Sequence, residues 1–167
     1  MFQMTMKDGL RCSAAKAYLA PAKQRKNLSI IVHAHTTKIE FKGRRAKAVI
    51  AKINGIETSI TARREIVLSA GSIGSPQILM LSGIGAAEKL HPHGIEPIHE
   101  LAGVGMNLQD HLQARPVFKC NSSTINTETR SLFQKIGIAF EYAFRRSGPM
   151  AMAASLGTAF LKTRPEL

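Results

Sequence analysis

The sequence predicts an α/β fold, α+β overall, and three stretches of the chain carry that prediction. Across residues 28–70, apolar and polar residues alternate and β-branched residues are frequent, which is typical of strands. The uncharged run 66–87 mixes apolar residues with glycine and serine, which indicates a buried strand, a tight turn and a helix. Across residues 132–143, apolar residues recur at helical spacing.

The composition is that of a chain that can pack a core and carries excess positive charge. Hydrophobic residues make up 44% of the 167 residues, which excludes an intrinsically disordered chain. The formal net charge of +12 raises the alternative of a basic nucleic-acid-binding module. Because the basic residues form short, separate runs without interleaved aromatic residues, we expect no nucleic-acid binding. Cys12 and Cys120 are too few for a disulfide framework or a zinc site.

The N-terminal part is expected to form two short helical turns and then strands. Ser13 is a candidate N-cap, and Pro21 breaks or restarts the helix. The segment NLSIIVHAHTTKIEF, residues 27–41, has the period-two pattern of one or two strands. Two further strands are predicted in residues 46–53 and 56–62, with Asn54-Gly55 between them as a hairpin signal. We therefore predict a meander that leads into a buried strand at residues 66–68.

The uncharged run is long enough to cross a bilayer, but serine, glycine and proline in its middle argue against a membrane span. Small side chains at residues 69–72 instead leave the backbone bare, as happens where another backbone or a ligand approaches closely. Ser75 as N-cap and Pro76 at the first helical position predict a helix start. Gly83 predicts the helix end, in the left-handed conformation.

A helix N-terminus at the tip of a strand has a functional and a purely structural interpretation. In open α/β sheets, ligands bind at the carboxyl ends of strands, and a helix N-terminus there favours an anion such as a phosphate. A tightly packed turn without a ligand explains the same residues, and both interpretations stay open on physical grounds alone. The run contains neither a GxGxxG nor a phosphate loop nor a catalytic serine elbow.

The texture changes after residue 85, and a domain boundary is predicted near residue 112. Residues 86–112 indicate a short helix followed by loops that glycine and proline interrupt. RPVFKCN, residues 115–121, has a strand-like pattern. A helix is predicted in residues 130–146, ended by Ser147-Gly148-Pro149, with one apolar stripe. Its members are Leu132, Phe133, Ile136, Ala139, Phe140 and Ala143.

The histidines form two His-x-His pairs, which are candidate metal ligands. In a strand, the spacing of His33 with His35, and of His91 with His93, places both rings on one face. No adjacent carboxylate or cysteine completes either pair, so we expect no metal site. We expect no catalytic role for these four histidines, nor for His99 or His111.

Residues 71–85, GSIGSPQILMLSGIG, resemble position for position the second signature of the glucose-methanol-choline (GMC) oxidoreductases, FAD-dependent enzymes that oxidise alcohols. The surrounding segments GLRCSAAKAYLAP, RKNLSIIVHAHTTKIEF and GVGMNLQDHL agree with that family in order and spacing, and GPMAMAASLGTAFLKT resembles the start of its substrate domain. The resemblance implies that residues 1–111 are the middle of an FAD-binding domain and residues 112–167 the opening of a substrate domain. The details SAAKAYL and MLSGIG are similar to the insect glucose-dehydrogenase branch.

The resemblance also implies roles for individual residues. Ala70 and Gly71 should lie against FAD, because the strand before them joins the FAD-binding sheet in this family. Thr36 occupies the position where the family's valine holds the adenine through backbone groups, and threonine is equally β-branched. The segment NLQDH, residues 107–111, should close this part of the domain.

The family's GxGxxG and its catalytic histidine segment do not occur in the sequence, so no catalytic residue is expected in this chain. The expected substrate of the parent enzyme is a small alcohol or sugar, and this chain alone should bind FAD weakly or not at all. Both ends of the sequence are expected to be internal to a longer protein, without a signal peptide, and the compartment stays open. A non-catalytic remnant of a truncated gene is the main alternative.

Overall fold

In a computed structural model of the chain, residues 5–110, 112–114 and 116–152 are described. They divide into two compact units, one formed by residues 5–29 and 116–152 and the other by residues 30–110 and 112–114. The mixture of helices and strands confirms the predicted α/β class.

The elements follow one another in short pieces along the chain. The strands are β1 (Met6–Lys7), β2 (Leu10–Arg11), β3 (Ala34–Lys42), β4 (Arg45–Ile53), β5 (Ile56–Thr61), β6 (Ile84–Gly85) and β7 (His99–Glu100). The α-helices are α1 (Ala20–Ala22), α2 (Gly71–Leu81), α3 (Ala87–Leu90), α4 (Ile125–Glu128) and α5 (Leu132–Arg145). A π-helical turn, Ala15–Leu19, precedes α1, and 3-10 turns lie at His91–His93 and Pro149–Ala151.

The unit around residues 30–114 is built on an antiparallel meander in the order β3-β4-β5, which confirms the predicted meander. Asn54 and Gly55 connect β4 to β5 with positive φ angles of 50° and 86°. Two consecutive positive φ angles are what a type I′ hairpin turn requires, so the predicted Asn-Gly hairpin is confirmed. In this sheet β3 is an edge strand.

A β-bulge interrupts β3 directly after Thr36. Thr36 pairs with Ala51 and Lys38 with Ile50, so Thr37 is the extra residue. The hydroxyl of Thr37 donates a 3.1 Å hydrogen bond to the carbonyl of Ile50. This bond fixes the bulged residue to the neighbouring strand.

Helix α2 packs on β3, and a buried hydroxyl joins the two elements. Ser82, the C-cap of α2, is 5% exposed. Its Oγ accepts a 2.7 Å hydrogen bond from the backbone N–H of Ile39 and donates a 2.5 Å hydrogen bond to the carbonyl of Ile78. Loss of this acceptor would leave the Ile39 N–H buried and unsatisfied, at a cost of about 1–3 kcal/mol. The buried apolar residues of this unit are Ile39, Ala48, Ile50, Ala51, Ala86 and Leu90.

The helix after the small-residue turn begins one turn earlier than predicted. Ala70, and not Ser75, is the N-cap, and Pro76 lies inside α2. Ser75 still satisfies the helix start, because its Oγ accepts a 3.0 Å hydrogen bond from the Ala70 N–H. The predicted helix end is confirmed, since Gly83 follows the C-cap with φ of 81°.

Two predicted strands are wrong, since residues 65–69 and 116–121 form no ladder among the described residues. Residues 27–41 were predicted to form one or two strands and form one, β3, while residues 28–32 form no ladder. A strand is defined by ladder hydrogen bonds to a neighbouring strand, and these segments make none within the described residues. Within residues 65–69, Ile66 and Leu68 are half-buried and Val67 is 77% exposed, an alternation typical of strands.

The unit around residues 5–29 and 116–152 is organised by α5. The predicted helical turns after Ser13 are confirmed, and the Ser13 Oγ accepts a 3.4 Å hydrogen bond from the Lys16 N–H. The hydroxyl of Tyr142 on α5 donates a 3.2 Å hydrogen bond to the carbonyl of Gly9, in the turn between β1 and β2. The Arg146 guanidinium lies 5.2 Å from the centre of the Tyr142 ring, a cation–π arrangement.

The predicted helix across residues 130–146 is confirmed as α5, but its apolar stripe faces solvent. Phe133 is 85% exposed, and the rings of Phe140 and Phe144 stack with centroids 5.8 Å apart on the surface of the described residues. Leu132 and Ile136 of the same stripe are also exposed. A contiguous apolar surface of this kind marks an interaction site or an aggregation hazard.

None of the helices in residues 5–110, 112–114 and 116–152 combines the length and the apolar character needed to span a bilayer.

Gly83 supplies a stability prediction with a matched control. A Cβ at Gly83 would lie 2.8 Å from the Glu96 carbonyl oxygen, whereas Gly94, with a similar φ of 71°, has no heavy atom within 4 Å of its Cβ position. Gly94→Ala should therefore cost only the left-handed strain, about 1–2 kcal/mol. Gly83→Ala should cost about 1–3 kcal/mol more, because its methyl group is overpacked.

Urea unfolding followed by circular dichroism measures both variants against the parent chain. Equal losses of unfolding free energy for Gly83→Ala and Gly94→Ala would contradict the close approach of residue 96 to the helix end.

Candidate functional site

A cavity of about 220 Å³ lies between β3, the extended segment before α2, and α2 itself. Its lining residues are Thr36, Ile39, Val49, Ile66, Val67, Leu68, Ser69, Ala70 and Ile78. Two of the three predicted cofactor residues, Thr36 and Ala70, thus share one cavity although they lie on different elements. The third, Gly71, is the next residue after Ala70 and begins α2.

The first wall of the cavity is the edge strand β3. Thr36 is half-buried and lies at the position where the Thr37 bulge interrupts the ladder. Bulges bend a strand and redirect its side chains, and they occur often next to functional sites. The bulge therefore sets how Thr36 and Ile39 present themselves to the cavity.

The second wall is the backbone of residues 69–71. Ser69, Ala70 and Gly71 are exposed. Gly71 has φ of 83°, and no heavy atom lies within 4 Å of the position where its Cβ would be. The glycine is thus required by the backbone conformation, and the face in front of it is open to a ligand.

The lining can bind and orient a ligand but supplies no acid or base. Its side chains are apolar apart from the hydroxyl groups of Thr36 and Ser69. Since ligand pockets usually enclose roughly 300–1,000 Å³, the cavity fits a single ring or group of a larger ligand. Bare backbone on one side and apolar side chains on the other suit a flat heteroaromatic ring, such as the adenine of a dinucleotide.

A second, larger cleft of about 560 Å³ lies between α2 and the turn after α3, and no motif in the sequence predicts it. It is lined by Gln77, Met80, Leu81, Lys89, Leu90, Pro92 and His93. The Lys89 ammonium donates a 2.7 Å hydrogen bond to the Met106 sulfur. None of the predicted cofactor residues lines this cleft.

Neither His-x-His pair lies wholly within a strand, the arrangement that would place both of its rings on one face. His91 and His93 lie on a 3-10 turn, and His33 has a left-handed φ of 53° just before β3. Among the residues described, no group of three or more histidine, cysteine, aspartate or glutamate side chains could hold a metal ion.

Of the NLQDH segment, residues 107–110 lie outside helices and strands, and His111 lies outside the described residues. Most of GPMAMAASLGTAFLKT, the predicted opening of the substrate domain, also lies outside them.

Comparison with known proteins identifies a family model and relatives that are similar to this chain. The family model described as GMC oxidoreductase matches residues 1–113. An alcohol dehydrogenase [acceptor] of Pseudomonas putida is 40% identical over 99% of this chain, and an oxygen-dependent choline dehydrogenase of Ectopseudomonas mendocina is 41% identical over 95%. The chain spans only 30% of the first relative's length and 28% of the second's.

Two solved structures are also similar to this chain. An FAD-dependent oxidoreductase from Chaetomium thermophilum superposes with a TM-score of 0.74 and 28% identity, over 86% of this chain and 26% of that protein. A formate oxidase of Aspergillus oryzae gives a TM-score of 0.70 and 27% identity, over 88% of this chain and 26% of its own. The match across residues 1–113 covers more than half of the sequence, so the chain belongs to the GMC oxidoreductase family.

Proposed function

We propose that this chain forms part of an FAD site in an oxidoreductase that acts on the CH–OH group of an alcohol. The observation that carries the proposal is the cavity that brings Thr36 together with Ala70, two residues that the family resemblance assigns to the cofactor. FAD, when bound, supplies the hydride acceptor for alcohol oxidation. The residues of this chain bind and orient it.

Each wall has a distinct part in that binding. The backbone of β3 at Thr36 holds the adenine ring, and the exposed backbone of Ala70 and Gly71 lets the cofactor approach without a side chain in between. The apolar side chains of Ile39 and Ile78 exclude water from the ring face. Oxidation of the alcohol also needs an acid or base group, and the cavity lining in the described part of this chain contains none.

Two segments with strand-like sequence but no ladder support the same proposal. Residues 28–32 and 65–69 contain exposed β-branched residues, namely Ile30, Ile31, Val32 and Val67, and they precede β3 and α2 in the chain. We place them as strands of the FAD-binding sheet, with their partner strands in the remaining part of a family-length protein. The length of the curated relatives, more than three times that of this chain, is consistent with this arrangement.

For the substrate, we propose a class of compound, a small alcohol, and no single compound. The names of the relatives given above concern alcohols and choline, which favours a small alcohol. A sugar substrate of the insect glucose-dehydrogenase type remains a prediction. A non-catalytic remnant that retains the family fold remains the alternative, and loss of flavin binding would favour it.

Gly71 and Gly55 provide a matched pair of variants that tests the cofactor wall. Their φ angles are 83° and 86°, and a Cβ at either position would meet no heavy atom within 4 Å. Alanine should therefore destabilise both positions equally, by about 1–2 kcal/mol. Only Gly71→Ala should weaken FAD binding, by about tenfold, because only its methyl group meets the cofactor.

Titration of the isotope-labelled chain with FAD, followed by amide chemical shifts, measures both affinities. Of the two outcomes expected from the sequence, weak binding and none, the proposal requires weak binding, so the parent chain should show saturable shifts at Thr36, Ala70 and Gly71. Equal affinities for Gly71→Ala and Gly55→Ala, or no shift at these residues, would overturn the proposal.

A further prediction concerns the apolar stripe of α5, which we propose packs against another part of a family-length protein. The isolated chain should self-associate through this stripe, so Phe140→Ser/Phe144→Ser should shift sedimentation velocity profiles towards monomer. Tyr18→Ser, which removes another exposed aromatic side chain of the same unit, serves as the control and should not. A monodisperse, monomeric parent chain would contradict this account.

A further inference from the structure

Ser82 lies outside the cavity, yet its hydroxyl joins β3 to α2, two of the elements that line it. The two backbone groups that its hydroxyl joins belong to Ile39 on β3 and Ile78 on α2, and both residues line the cavity. Ser82 itself is not among the lining residues and is 5% exposed. Its hydroxyl donates once and accepts once, so the bridge uses its only proton.

We propose that Ser82 is the positioning residue of the cofactor site, because its hydroxyl fixes β3, the strand of Thr36, against α2, the helix that Ala70 caps. This inference rests on the proposed function, since the positioned site is the FAD cavity.

Directional contacts distinguish Ser82 from the apolar packing around it. Apolar contacts between α2 and β3 favour burial but do not select one relative position of the two elements. A hydrogen bond does, because it weakens steeply when its distance or angle changes. The bulge at Thr37 bends β3 two residues before Ile39. The hydrogen bond from the Ile39 N–H to Ser82 attaches the strand to α2 directly after this bend.

The hydroxyl of Thr58 on β5 provides a matched control. It donates a 3.3 Å hydrogen bond to the carbonyl of Ile56 on the same strand, and Thr58 does not line the cavity. Thr58→Val and Ser82→Ala each remove a side-chain hydroxyl that is hydrogen-bonded to the backbone of this unit. Only Ser82→Ala removes a bond between β3 and α2.

The experiment compares the parent chain with Ser82→Ala, Ser82→Thr and Thr58→Val at a temperature where all are folded. The first readout needs no cofactor: amide hydrogen exchange at Ile39 and the nuclear Overhauser effect between the side chains of Ile39 and Ile78. Ser82→Ala should accelerate Ile39 exchange about tenfold and weaken the Overhauser effect, because the Ile39 N–H loses its acceptor. Ser82→Thr, which keeps the hydroxyl, should restore both in part.

The second readout is the affinity for FAD, the probe added to each variant. Ser82→Ala should bind about tenfold more weakly than the parent, whereas Thr58→Val should stay within about twofold. Unchanged affinity in Ser82→Ala, or an equal loss in Thr58→Val, would overturn the positioning role.

The two readouts separate the two claims. A parent chain that does not bind FAD would defeat the proposed function, while Ile39 exchange and the Overhauser effect would still decide whether Ser82 holds the walls together. An unchanged Overhauser effect in Ser82→Ala would defeat the positioning role even if the parent binds FAD.

Discussion

The hydrogen bonds of the Ser82 hydroxyl are the constraint on which the unit around residues 30–114 depends. They join the end of α2 to an edge strand that would otherwise present an unsatisfied N–H at Ile39. With this end of the helix fixed, Gly83 turns the chain in the left-handed conformation and β6 reaches β7. The same contact sets the position of α2 relative to β3. The shape of the cavity between these two elements therefore depends on Ser82.

Two segments with the sequence pattern of strands have no neighbouring strand among the described residues. The meander β3-β4-β5 forms because each strand is followed by its partner in sequence. Residues 28–32 and 65–69 have equally strong strand character in the sequence but belong to no ladder among the described residues. If they belong to the FAD-binding sheet, cofactor binding and completion of the sheet are linked, because the same segments lead into Thr36 and Ala70.

Local signals predicted local structure well. The Asn54-Gly55 turn, the α5 helix and the left-handed Gly83 each depend on residues within one or two turns of chain, and all three are confirmed. The start of α2 was misplaced because Ser75 reaches back to Ala70, a contact that the preference of serine for N-caps does not foresee. The cavity and the role of Ser82 join residues far apart in sequence, and only the family resemblance connected Thr36 with Ala70 beforehand. A serine directly before the terminal glycine of an apolar helix was the one available signal for Ser82.

In the proposed arrangement, β3 and residues 69–71 form two walls of one cofactor site. Intermolecular nuclear Overhauser effects between the adenine protons of FAD and the labelled chain test it most directly. The account predicts contacts to the Thr36 and Ala70 amides and to the side chains of Ile39 and Ile78. Contacts to Lys89 and His93 in the larger cleft, or none at any FAD concentration, would contradict it.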